Sequence, residues 1–190
     1  MSQFIFVYAP ANLKNIKSFI PKRSIAVMSQ ILQDNNVNTT IYDFGIPEAV
    51  QYYSDDTINS NLIKNNANEK KYGNWFSKIL SSIEQKKNLK NSYLRWVYQN
   101  IKISSHTRCI LFWIENREDL ISARILANEI KKENTENKIH IVGAGPYLNH
   151  TGPHVITSLP EFNGMLVNHC EIAILPLWEH ITSGADLQSI

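Results

Sequence analysis

The chain is poor in cysteine. Only two cysteines occur in 190 residues, Cys109 and Cys170, so no disulfide framework can be drawn. Neither a CxxC nor a CxxxCxxC is present, which excludes an iron–sulfur cluster held by this chain alone. No GxxxxGK[ST] occurs, which removes phosphate-loop nucleotide binding. No run reaches the ~18 apolar residues of a membrane-spanning helix. Charge of one sign is also scarce. A formal net charge of +2 implies no strong attraction to nucleic acid or to an anionic membrane. The amino terminus, Met1-Ser2-Gln3 before Phe4 to Tyr8, has no charged region and no small-residue cleavage site, so it reads as a strand start. A cytoplasmic protein is expected. No repeat or second domain is visible, and 43% hydrophobic residues suffice for one domain spanning 1–190 with a substantial core.

What is present is an alternation of short apolar runs and helical stripes. Phe4-Ile5-Phe6-Val7-Tyr8 is a continuous apolar run, expected as a central first strand. Ala9-Pro10-Ala11-Asn12 ends it, and residues 12–20 read as a loop. Pro21 suits a helix start, where its missing N–H costs nothing. Ile25, Val27, Met28, Ile31 and Leu32 form a stripe over Ser24–Gln33, and Asn35 or Asn36 can take the left-handed conformation that stops it. Thr39 to Asp43 is the second strand, completing a βαβ unit with a right-handed crossover. Further on, Cys109 to Ile114 is a third strand, Arg117 to Lys132 a helix, Ile139 to Val142 a fourth strand, and Met165 to Val167 a fifth. Ile172 to Ile181 has helical spacing, with Pro176 able to kink it. The expected fold is α/β: a flavodoxin-like, Rossmann-like, five-stranded parallel sheet with helices on both faces.

The middle, about residues 46–105, breaks the alternation and reads as a helical insertion between the second and third strands. Helical spacing runs through Phe76, Ile79, Leu80 and Ile83, and again through Tyr93, Leu94, Val97, Tyr98 and Ile101. Basic and aromatic residues mix here, including Lys78, Lys86, Trp75 and Trp96. Such a mixture can mark a nucleic-acid surface, but the low net charge favours helices that bury aromatics and expose lysines.

Few groups point to chemistry. Gly143-Ala144-Gly145 follows the fourth strand and continues to Leu148, which departs from a dinucleotide fingerprint. A glycine turn at the carboxyl end of a parallel strand is where open α/β sheets bind ligands, and equally where a strand makes a tight connection without one. Pro146 stops the strand and stiffens its exit. His150 and His154 have the spacing of two helical metal ligands, yet Gly152 and Pro153 lie between them and argue for two loop histidines. His169 and Cys170, as neighbours on a loop, are expected to point apart rather than to pair as base and nucleophile, and Cys109 inside a strand is expected in the core.

The ordered series of turns resembles the cobalamin (B12)-binding domain found at the amino terminus of B12-dependent radical SAM enzymes. Ala9-Pro10 stands at that family's Asn-Pro-Pro-like turn. Pro21 and Ser24 to Met28 are similar to its proline-led helix, with Asn36 at its usual glycine. Ile41-Tyr42-Asp43 matches its hydrophobic-x-Asp, and Val142 to Pro146 its Val-x-Gly-Gly-Pro turn. Pro160 to Val167 resembles Pro-x-x-Asp-x-Val-Val, and Asn168-His169-Cys170-Glu171 falls at Gly-Glu-Gly-Glu, keeping only the last residue. The likeness covers most of the chain outside the insertion. The Asp-x-His-x-x-Gly pattern that supplies an axial histidine in other B12 proteins is absent.

The resemblance implies a corrin across the carboxyl ends of the strands, with its nucleotide tail along the sheet edge in the same cleft. By position, the implied cofactor-binding residues are Pro10, Trp113, Glu115, Asn116, Gly143, Gly145, Pro146, Tyr147 and Glu171. The glycines would let the backbone reach the corrin, and Trp113 and Tyr147 would pack on its face. The implied function is to hold cobalamin for methyl transfer or redox chemistry done with a radical SAM enzyme as partner; the chain cannot generate a radical by itself. The alternative is a family member without cofactor, acting as a partner or regulatory subunit, with the inserted helices as its docking surface.

Overall fold

The computed structural model describes residues 2–11, 22–46, 92–151 and 159–184. Five strands form one sheet: β1 (Gln3–Tyr8), β2 (Asn38–Asp43), β3 (Thr107–Trp113), β4 (His140–Ala144) and β5 (Gly164–Leu166). All four pairings are parallel, in the order β2-β1-β3-β4-β5. That is the flavodoxin-like order, with its topological switch point between β1 and β3. The described helices are α1 (Arg23–Asp34), α2 (Ser92–Asn100), α3 (Arg117–Glu133), α4 (Pro146–Thr151) and α5 (Cys170–Ser183).

Strand periodicity divides the core in two. Phe4, Phe6 and Tyr8 point to one face, where Cys109, Leu111, Trp113 and Val142 join them beneath α1 and α5. Ile5 and Val7 point to the other, with Ile110, Phe112 and Ile141 beneath α2 and α3. Both faces of the central strands are thus covered, which is why their sequences run continuously apolar. β2 lies at an edge and is less buried, with Ile41 exposed.

The helices follow their stripes with local adjustments. α1 buries Ile25, Met28 and Leu32, while Val27, expected on the stripe, is exposed. The stop falls at Asn36, whose φ of 60° is left-handed. Asn116 caps α3 by accepting from the Asp119 amide at 2.9 Å. Lys131 and Lys132 occupy its last turn, where the helix dipole favours cations. Arg124, only 2% exposed, forms a two-pronged pair with Glu161 at 2.7 and 3.2 Å and ties α3 to the turn before β5. α5 runs on through Pro176.

Several expectations need adjustment: His150, expected on a loop, lies in α4, and Cys170, also expected on a loop, opens α5. β5 begins one residue earlier than expected, at Gly164, and Val167 lies outside it with 41% exposure. Pro146 opens the six-residue helix α4 rather than simply ending a strand. The described part of the insertion, α2, buries Tyr93, Leu94 and Val97 in the chain's own core, so that face is not offered for docking. The expected loop at 12–20, Pro21 and the helix around Phe76 to Ile83 lie outside the described residues.

Candidate functional site at the carboxyl edge of the sheet

At the exits of β1 and β3 a polar network closes the switch point. Its anchor is Asp119, in the first turn of α3 and 2% exposed. Its carboxylate accepts from the amides of Ala11 at 2.8 Å and Glu115 at 3.2 Å, joining the two exits. Burial raises its pKa to about 6 despite these bonds, with the nearby Glu115 charge adding to the rise. The Glu115 carboxylate receives the Tyr8 hydroxyl at 3.0 Å, the Lys22 ammonium at 3.0 Å and, more loosely, the Trp113 indole N–H at 3.4 Å. Lys22 also lies 4.6 Å from the centre of the Tyr8 ring. Burial, then the Glu115 and Asp119 charges, push the Tyr8 phenol far above its usual range, so it stays protonated as a donor. At the neighbouring β2 exit, burial raises the Asp43 carboxyl, which accepts from the Gly45 amide at 2.8 Å.

The exits of β4 and β5 are built from backbone instead. Gly145 has φ +125°, and a Cβ there would stand 2.3 Å from the Ile114 carbonyl oxygen. Around this contact the Ile114 amide donates to Ala144 O at 2.7 Å and the Tyr147 amide to Ile114 O at 3.3 Å. A Cβ on Gly143 would meet Leu148 at 3.1 Å. The glycines therefore let β4 close against the β3 exit, and the space beneath them is protein. Asn168 adopts φ 63° and its amide donates to Asn149 Oδ1 at 2.6 Å. Cys170, at the start of α5, is buried with its thiol 3.5 Å from the carbonyls of Leu166 and Asn168. Burial raises its pKa, which keeps it a thiol and unreactive. Glu171 is pulled below the usual carboxylate range, first by a hydrogen bond from the Ser24 side chain. Burial raises the Tyr147 phenol.

The expected site residues thus fall into two groups. Pro10, Trp113, Glu115 and Asn116 gather at the β1–β3 exits; Pro10 and Trp113 are buried, Trp113 to 8% exposure. Gly143, Gly145, Pro146, Tyr147 and Glu171 belong to the β4–β5 exits, where Pro146, Asn149, His150, Asn168 and His169 are exposed. Tyr8, Lys22, Asp119 and Asn149 were not singled out by sequence reasoning. Only Asn116-x-x-Asp119 carried a signal, as a helix cap followed by an acidic first turn. Among the described residues no group of three or more His, Cys, Asp and Glu could hold a metal ion. His154 lies outside the described residues, and Cys109 is fully buried, its thiol pushed well up by burial. No described helix is long and apolar enough to cross a membrane.

The fold and this edge define a flavodoxin-like α/β domain. No protein-family model matches the chain, and no curated protein matches it. Among solved structures it is similar to an azoreductase from Bacillus anthracis str. Sterne, at 14% identity over 97% of this chain and 95% of that one, with a TM-score of 0.28. A likeness of that size bears on neither fold nor function.

Proposed function

We propose that the chain is a cobalamin-binding domain whose corrin lies on the β4–β5 side of the carboxyl edge, working with a radical SAM enzyme as partner. The observation that carries the reading is Asn168. It stands where the resembled family has a glycine, and at φ 63° it takes the left-handed conformation that glycine adopts at no steric cost. Asn36, at another of the family's glycines, does the same at φ 60°. Both asparagines thus stand in a left-handed conformation that glycine also adopts readily. The fit is with the rim rather than the floor. Gly143 and Gly145 are filled beneath by Leu148 and Ile114, and Trp113 is packed, so contact falls to Pro146, Tyr147, Asn168, His169 and Glu171. The β1–β3 side has its carboxylates already engaged by the chain's own donors. Cobalamin, when bound, supplies methyl-transfer or redox chemistry, and these residues bind and orient it.

Reconstitution with hydroxocobalamin, desalting and visible spectroscopy tests the reading. A corrin band eluting with the protein is the expected result. Its absence would leave a chain without cofactor, acting as a partner subunit.

A further inference from the structure

The opposite, amino-terminal edge of the sheet holds a cleft of about 320 Å³ lined by Ser2, Arg108, Lys138, His140, Thr182 and Gly184. Strand geometry brings its cations together. Arg108 is the one exposed residue of β3, between buried Thr107 and Cys109. Lys138 precedes β4 and is exposed, and His140, 7% exposed, begins that strand. Cations beside a helix carboxyl terminus often serve as its caps, and α5 ends here. That role is already filled. Thr182 Oγ1 donates to the carbonyls of Trp178 and Glu179 at 3.0 Å each, Ser183 Oγ to His180 O at 2.8 Å, and the Gly184 amide to Ile181 O at 3.3 Å. Arg108 and Lys138 make no hydrogen bond or ion pair with any described residue. Two cations with unspent donors thus line one cleft, and no carboxylate is among its described lining residues.

We infer that this cleft binds a small phosphate-bearing molecule through Arg108 and Lys138. A guanidinium fork and an ammonium suit a phosphate group, and the volume leaves room for a few further atoms. The site is independent of the cobalamin reading, since it lies at the other end of the strands. The probe is inorganic phosphate, titrated into the full chain at constant ionic strength and followed by ³¹P NMR. Saturable binding is expected, weakened roughly tenfold or more in the Arg108→Gln/Lys138→Gln double variant. A charge-matched control, Arg23→Gln/Lys102→Gln, removes two exposed cations elsewhere and is expected to bind like the parent. Both double variants change exposed side chains, so folding is checked by their unfolding midpoints. Absence of saturable binding, or equal weakening in both double variants, overturns the inference.

Discussion

The two halves of the carboxyl edge are closed by different physics. At the β1–β3 exits, closure is by charge and hydrogen bond: Asp119 grips two backbone amides and Glu115 gathers Tyr8, Lys22 and Trp113. At the β4–β5 exits, closure is by backbone contact, with Gly145 lying on Ile114 and Asn168 in a left-handed turn. The first kind of closure responds to pH and spends its polar groups internally. The second is made by backbone contact rather than by a titrating side chain and leaves polar groups at the rim. A ligand arriving at this edge therefore meets unspent hydrogen-bonding capacity on the β4–β5 side.

The largest effect should come from Gly145→Ala. It adds a Cβ against Ile114 and imposes an unfavourable positive φ, at an expected cost of about 4 kcal/mol in urea-induced unfolding. A loss under 1 kcal/mol would show that β4 can move off Ile114, and the contact would not be what defines that half.

Asp119 should dominate the pH response of the other half. Its folded pKa of about 6 lies above the usual value of 3.8, so the folded state binds more protons between those limits. Its contribution to stability is therefore fully present below about 4 and is lost as pH rises through about 6, by up to ~3 kcal/mol. Unfolding free energies measured from pH 4 to 7 should show this decline, and Asp119→Asn should flatten it. An unchanged slope in that variant would assign the titration to another group.

Smaller effects separate the halves further. Asn168→Ala should cost about 1 kcal/mol, since alanine tolerates the left-handed region poorly, whereas Asn168→Gly should differ from the parent by less than about 0.5 kcal/mol. Similar losses in both variants would mean that the side chain matters and not the backbone. Lys22→Met breaks a partly exposed ion pair, and about 0.5 kcal/mol is expected, diminishing with added salt. A salt-independent loss of 2 kcal/mol would mean that Lys22 is held more tightly than its exposure implies.

The sheet was legible in the sequence because its central strands are buried on both faces, and Phe4 to Tyr8 and Cys109 to Ile114 show this as unbroken apolar runs. The helix stop at Asn36 was legible for a local reason too, as asparagine tolerates positive φ. The closure of the switch point was not. Tyr8 and Lys22 meet Glu115 across 107 and 93 residues, and Ala11 meets Asp119 across 108, with no spacing to betray them. The same holds for Arg124 and Glu161, 37 residues apart, where an arginine is buried on the helix face turned to the core. Gly145 was legible as a turn but not as a choice between ligand contact and tight connection. Only the position of Ile114 decides what lies beneath it. The β5 boundary shifted because three short residues carry too little pattern to place a strand end.

The most direct measurement is hydrogen exchange of the full chain with and without hydroxocobalamin. The account predicts slower exchange at Gly145 to Thr151 and at Val167 to Glu171, with the amides of Ala11 and Glu115 unchanged. Protection confined to the β1–β3 exits, or none at all, would contradict it.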